Sequence, residues 1–231
     1  MRIGTIGAGT MAETLAGGWA RAGHEVRIGA RSEERGAALA DRLGGRVRSA
    51  SPSEAAAFGD VTLLAVPGES AEDALRAAGA ADGTLAGRTL VDCTNAFAPG
   101  AFTAPPGSFT LADDTVAERV ARVAAGASVV KAFSMLAAEV WQAGARTFEG
   151  RPLVVPLCGD DPAALATVRR LVADLGLSAV DGGGLHRARY VEAMTVFVMG
   201  LWFAGHDARA ILPPLEAAFA RPDDDQRPAR T

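Results

Sequence analysis

The chain opens on a stretch that leaves little choice of fold. Residues 2–6, Arg-Ile-Gly-Thr-Ile, read as a short apolar strand, and Gly7-Ala8-Gly9-Thr10-Met11-Ala12 follows at once. Gly7, Gly9 and Ala12 have the spacing G-x-G-x-x-A. The first glycine permits a tight turn. The second removes a side chain where a pyrophosphate must approach the backbone. The small third residue lets the following helix pack close to the strand. A helix that begins here points unpaired N–H groups at the phosphates. Gly7, Gly9, Thr10 and Met11 are therefore the candidate phosphate contacts of a dinucleotide.

The second strand, 24–30, speaks to which dinucleotide. An NAD site carries an acid at the tip of this strand, about 20 residues on, to bind the ribose 2′-hydroxyl. Here the tip reads Ala30-Arg31-Ser32-Glu33-Glu34-Arg35. Arg31 stands where an acid would repel a 2′-phosphate, Ser32 offers a hydroxyl at a helix start, and Arg35 adds a cation one turn later. A planar guanidinium can bond two phosphate oxygens at once. The pattern selects NADP(H), and it is also that of a capped helix start with Glu33 and Glu34 in the first turn.

The rest of the chain alternates strand and helix. Strands are expected at 46–48, 60–66, 88–93, 127–133, 152–158 and 177–181. Helices are expected at 10–22, 33–43, from 52, 71–81, 113–124, 136–142, 162–175 and 185–203. Ser51-Pro52-Ser53-Glu54 carries a capping box, and Asp160 or Asp161 caps the helix that begins at Pro162. This order makes an α/β fold, a doubly wound parallel sheet of Rossmann type with helices on both faces. Residues 1–133 form the NADP-binding domain. Residues 134–220 form a small C-terminal extension ending in a long helix, and 221–231 a disordered tail. Residues 96–108 read as a lid over the crevice. In such sheets ligands sit outside the carboxyl ends of the strands, which puts Val66, Pro67 and Asn95 beside the nicotinamide and its ribose; for Asn95 an Asx turn is the structural alternative.

Composition closes off other functions. Lys and Arg number 23 against 27 Asp and Glu, a net charge of −4, with no basic stripe for nucleic acid. Cys93 and Cys158 lie far apart, and His24, His186 and His206 show no ligand spacing, so no metal is expected. No apolar run reaches transmembrane length, and Glu192 interrupts the longest. The protein is expected to be cytoplasmic, with no membrane partner.

Three further segments carry a resemblance. Val129-Val130-Lys131-Ala132-Phe133, Cys158-Gly159-Asp160-Asp161 and Val180-Asp181-Gly182-Gly183-Gly184-Leu185, the last continuing to Arg189-Tyr190-Val191-Glu192, are similar to the NADPH-dependent coenzyme F420 reductase (F420H2:NADP oxidoreductase) family. The same pattern is shared by the cytosolic NADPH domain of six-transmembrane ferric reductases. The resemblance implies a Rossmann domain, usually dimeric, with NADPH held by the glycine turn and by Arg31, Ser32 and Arg35. It brings Ala132 into the cofactor-binding set. It implies direct hydride transfer between the nicotinamide and coenzyme F420, a chemistry of proximity and alignment. Where relatives commonly read Asn-Thr after the Val-Val-Lys-Ala-Phe strand, this chain has Ser134-Met135.

Reduction of an imine, a ketone or free flavin is the alternative reaction, and it needs a proton donor, for which Ser134, His186 and Tyr190 are the candidates. Val66, Asn95, Ser134 and the 182–184 turn would surround the acceptor, with Arg187 and Arg189 within reach. A non-catalytic NADPH sensor is the third reading.

Overall fold

The computed structural model describes residues 1–98, 115–214 and 217. Its centre is an eight-stranded sheet in the order β10-β9-β6-β5-β4-β1-β2-β3. The strands are β1 (Arg2–Ile6), β2 (Glu25–Gly29), β3 (Val47–Ala50), β4 (Val61–Leu64), β5 (Thr89–Asp92), β6 (Ser128–Lys131), β9 (Val154–Gly159) and β10 (Ser178–Gly183). From β3 to β6 all pairings are parallel. That part has the order 3-2-1-4-5-6 of dinucleotide-binding sheets, with its switch point between β1 and β4.

Side chains alternate across the sheet because a strand has a period of two. Ile3, Leu63, Val91 and Val130 join a core with α1 (Thr10–Arg21), α2 (Glu33–Leu43) and α7 (Pro162–Asp174). Ile6, Leu64, Leu90 and Val129 face the other way, onto α3 (Pro52–Phe58), α4 (Ala71–Ala77) and α5 (Val116–Val123). These strands are apolar on both faces because both are covered.

Several local readings hold. Ser51 and Glu54 close the capping box of α3, and Asp161 caps α7. Asp160 instead accepts the Leu185 N–H at 2.9 Å. Gly23, at φ +93°, ends α1. The expected helix at 113–124 is seen as α5, while residues 113–114, most of the expected lid and the tail from 221 lie outside the described residues.

The sheet corrects one expectation, because it is parallel only as far as β6. β9 runs antiparallel to β6, with Lys131 opposite Cys158 and Val130 opposite Gly159. A parallel return needs a helix spanning the sheet. The link between β6 and β9 has only the five-residue α6 (Ala138–Gln142) and a two-stranded hairpin of β7 (Thr147–Phe148) and β8 (Arg151–Pro152). The chain re-enters from the end where β6 finished. β10 then pairs parallel to β9, and its glycines continue the strand through a register shift between Asp181 and Gly183. The final helix begins as a 3-10 turn at Leu185–Arg187 before α8 (Ala188–Phe203).

Candidate active site

At the carboxyl end of β1 the backbone is shaped for a ligand. Gly7 sits at φ +119°, and an added Cβ would lie 2.2 Å from the Ala65 carbonyl oxygen. No L side chain fits there. At Gly9 the reason differs, for an added Cβ would meet nothing within 4 Å. Gly9 is exposed and keeps the approach to α1 open. It is also the N-cap of α1, with no side chain capping the helix. Ser32, Ser51 and Asp161 cap α2, α3 and α7, whereas α4, α5, α6 and α8 share with α1 the lack of a side-chain cap. The first N–H groups of α1 are thus left for an anion at the positive end of a twelve-residue helix.

Past β2, Ser32 accepts the Arg35 N–H at 3.3 Å and starts α2. Arg31 and Arg35 are exposed and make no ion pair among the described residues. Two guanidinium groups therefore stand beside the turn without a carboxylate to neutralise them. These groups fit the pyrophosphate and 2′-phosphate of NADP(H).

The other end of the crevice is made by the tips of β4, β5 and β6. Val66 and Pro67 follow β4, Asn95 follows β5, and Ala132 to Ser134 follow β6. Asn95 forms no Asx turn. Its Nδ2 donates to the Ser134 carbonyl at 2.8 Å and joins the two strand tips. Asn95 Oδ1 and Ser134 Oγ are both buried, and neither has a partner among the described residues. Leaving two such groups unsatisfied costs about 1–3 kcal/mol each. Between them lies the residue that aims Ser134. Phe133 is 1% exposed and adopts φ +61°, rare for a bulky side chain. That conformation costs about 1–3 kcal/mol. Edge-to-face contacts with Trp19 at 6.1 Å and Trp141 at 5.9 Å offset it.

Beneath these tips is a buried charge network that the sequence reading did not single out. Lys131 Nζ donates to Asp92 Oδ2 at 3.1 Å, Glu192 Oε1 at 2.7 Å and the Thr94 carbonyl at 2.6 Å. All three of its protons are used. Lys131 is 1% exposed, Asp92 and Glu192 not at all. Burial alone would push the Lys131 ammonium down, but Asp92 and Glu192 hold its pKa above the usual lysine value. Asp92 Oδ1 accepts the Thr94 N–H at 2.9 Å and hydroxyl at 2.6 Å. Glu192 accepts the Val116 and Ala117 N–H groups and so binds α8 to the start of α5. The available signal was a single charged residue inside each apolar run: Asp92 after Leu-Val, Lys131 after Val-Val.

Other candidates lie elsewhere. β9 runs antiparallel to β6, so Gly183, beside Cys158, lies level with Lys131, the last residue of β6, and two strands away from it. A Cβ on Gly184 would be 2.9 Å from His186 Nδ1, which places exposed His186 with that turn. Tyr190 is 59% exposed and lies under the Arg187 guanidinium at 5.5 Å. Arg187 Nε donates to the Gly182 carbonyl, and Arg189 pairs with Glu118. Ser134 is joined to Asn95 at the strand tips, whereas His186 and Tyr190 are exposed and follow β10, the outermost strand on that side. Cys93, near the tip of β5, is a free thiol pushed up to about 12 by burial. No helix among the described residues is long and apolar enough to cross a membrane.

Comparison with known proteins agrees with this geometry. The family model for NADP oxidoreductase, coenzyme F420-dependent, matches residues 2–96. Metalloreductase STEAP3 of Rattus norvegicus is 30% identical over 202 residues, which is 87% of this chain. The chain spans 38% of the length of that curated relative. A solved reductive aminase from Aspergillus terreus, in complex with NADPH, superposes with a TM-score of 0.62 at 22% identity. That match covers 88% of this chain and 62% of the aminase, a likeness of fold alone. The crystal structure of a candidate F420-dependent NADP-reductase from Arthrobacter sp. FB24 superposes with a TM-score of 0.75 at 31% identity. It is matched over 95% of its own length and 88% of this chain, and the chain belongs to the coenzyme F420-dependent NADP oxidoreductase family.

Proposed function

We propose that the protein transfers a hydride between NADP(H) and coenzyme F420. The observation that carries the reading is the polar character of the crevice at the carboxyl ends of the parallel strands. At one end are an uncapped helix N-terminus and two unneutralised arginines. At the other are two buried polar atoms without partners. Gly7, Gly9, Thr10 and Met11 would hold the pyrophosphate, and Arg31, Ser32 and Arg35 the 2′-phosphate. Val66, Pro67 and Ala132 would flank the nicotinamide side. When bound, NADP(H) supplies the hydride carbon. Asn95 Oδ1 accepts from a ligand amide or hydroxyl, and Ser134 Oγ donates or accepts beside it. The chain's share in the rate is alignment and exclusion of water.

The unpartnered Ser134 hydroxyl favours a second reading, reduction of a C=N or C=O bond with Ser134 giving the proton. We also propose a homodimer. Tyr190, Phe197 and Phe203 of α8 are each more than half exposed, and apolar area of this kind marks an interface. NADPH oxidation followed by absorbance, with oxidised F420, free flavin and a cyclic imine as parallel acceptors, tests the reaction. Turnover with F420 above the other two is expected. Turnover only with the imine would transfer the assignment to the second reading. Tight NADPH binding with no turnover on any acceptor would favour a sensor.

A further inference from the structure

A cavity lies beside the later turns of α1, away from the helix start at Gly9. Its volume is about 480 Å³, and α1, α6 and the end of α7 line it. Its wall contains two hydrogen-bond donors that nothing satisfies. Trp141 is 3% exposed, and its Nε1 has no partner among the described residues. Arg146 Nη1 is likewise buried and unpartnered, while its Nη2 donates to the Trp141 carbonyl at 2.8 Å. The same residue pair thus holds an unpartnered indole N–H and an unpartnered guanidinium N–H in the cavity wall. Buried donors without partners are rare in folded proteins.

The remaining charges favour an anion. Arg21 also lines the cavity and makes no ion pair among the described residues. The two carboxylates of the wall are already engaged. Arg42 binds Glu13 through two bonds of 3.3 and 3.0 Å. His24 Nε2 lies 2.9 Å from Asp174 Oδ2. Leu15, Leu43 and Leu175 supply an apolar floor. We infer that this cavity is a second ligand site, separate from the cofactor crevice, for a small organic carboxylate with an apolar body. A planar carboxylate matches a guanidinium edge with a neighbouring N–H, and its hydrocarbon part covers the leucines.

Hexanoate is the probe, titrated into the full chain by calorimetry and by Trp fluorescence, with and without saturating NADPH. Saturable binding is expected, unchanged by NADPH. Arg146→Gln should weaken it by about tenfold or more, equivalent to about 1.4 kcal/mol. Trp141→Phe keeps an aromatic ring in place, removes the N–H together with part of the indole, and should weaken it severalfold. Arg21→Gln, at an exposed helix position, tests the charge where the fold is not at risk, and should also weaken binding. Inorganic phosphate should bind more weakly than hexanoate. No saturable binding of hexanoate up to about 10 mM would overturn the inference. Equal binding by phosphate, competition by NADPH, or affinity unchanged in both Arg146→Gln and Arg21→Gln would overturn it too.

Discussion

The two ends of the crevice are built in opposite ways. The phosphate end comes from one continuous stretch, residues 7–35, and at the ligand-facing positions Gly9, Arg31 and Arg35 the side chain is absent or exposed and without an ion pair among the described residues. The acceptor end joins residues up to 100 positions apart, from Asp92 to Glu192, through fully buried charges. The first end is shaped by what has been left out: a Cβ at Gly9, a side-chain cap on α1, and, among the described residues, an ion pair to Arg31. The second depends on what has been put in. The phosphate end should therefore tolerate change in its fold while losing cofactor, and the acceptor end should lose its fold first.

Lys131→Met breaks that second end most severely. It leaves Asp92 and Glu192 buried without their cation, and loss of one partner of a buried pair costs about 3–5 kcal/mol. Urea unfolding should show that loss in midpoint. A loss below about 1 kcal/mol would mean that this buried pairing does not hold the acceptor end together.

Gly7→Ala and Gly9→Ala separate geometry from space within the first end. Gly7→Ala forces a methyl to 2.2 Å from a carbonyl at φ +119°, and the conformation alone costs about 1–3 kcal/mol. Gly9→Ala meets open space, so thermal unfolding should change by no more than about 1 kcal/mol. NADPH affinity should nevertheless fall in both. Unchanged NADPH binding in Gly9→Ala would remove the phosphate from that position.

Ser32→Ala gives the smallest effect. It removes the cap of α2 and should cost about 1 kcal/mol of stability in a urea titration. A larger fall in NADPH affinity than in NADH affinity would show that Ser32 also meets the 2′-phosphate.

The same contrast explains what could be read before any coordinates. Gly7, Gly9, Arg31 and Ser32 lie within one β-α-β unit, where local turn and capping rules apply, and the doubly wound α/β class follows from the alternation of elements. Asn95 and Ser134 were placed at strand tips, but the bond between them spans 39 residues, beyond any local rule. The reversal of β9 was hidden because an apolar strand reads alike in either direction. What reversed it was the short α6 and the hairpin, whose two-residue strands carry almost no periodic signal. His186 and Tyr190 follow β10, and no local pattern in the sequence shows that β9 and β10 run against β6.

The most direct measurement is calorimetric binding of NADPH and NADH to the unmodified chain and to Arg31→Ala. The unmodified chain should bind NADPH more tightly. Arg31→Ala should weaken NADPH by well over tenfold, more than about 1.4 kcal/mol, while NADH changes little. Equal losses for both dinucleotides, or none for either, would contradict the assignment of this crevice to NADP(H).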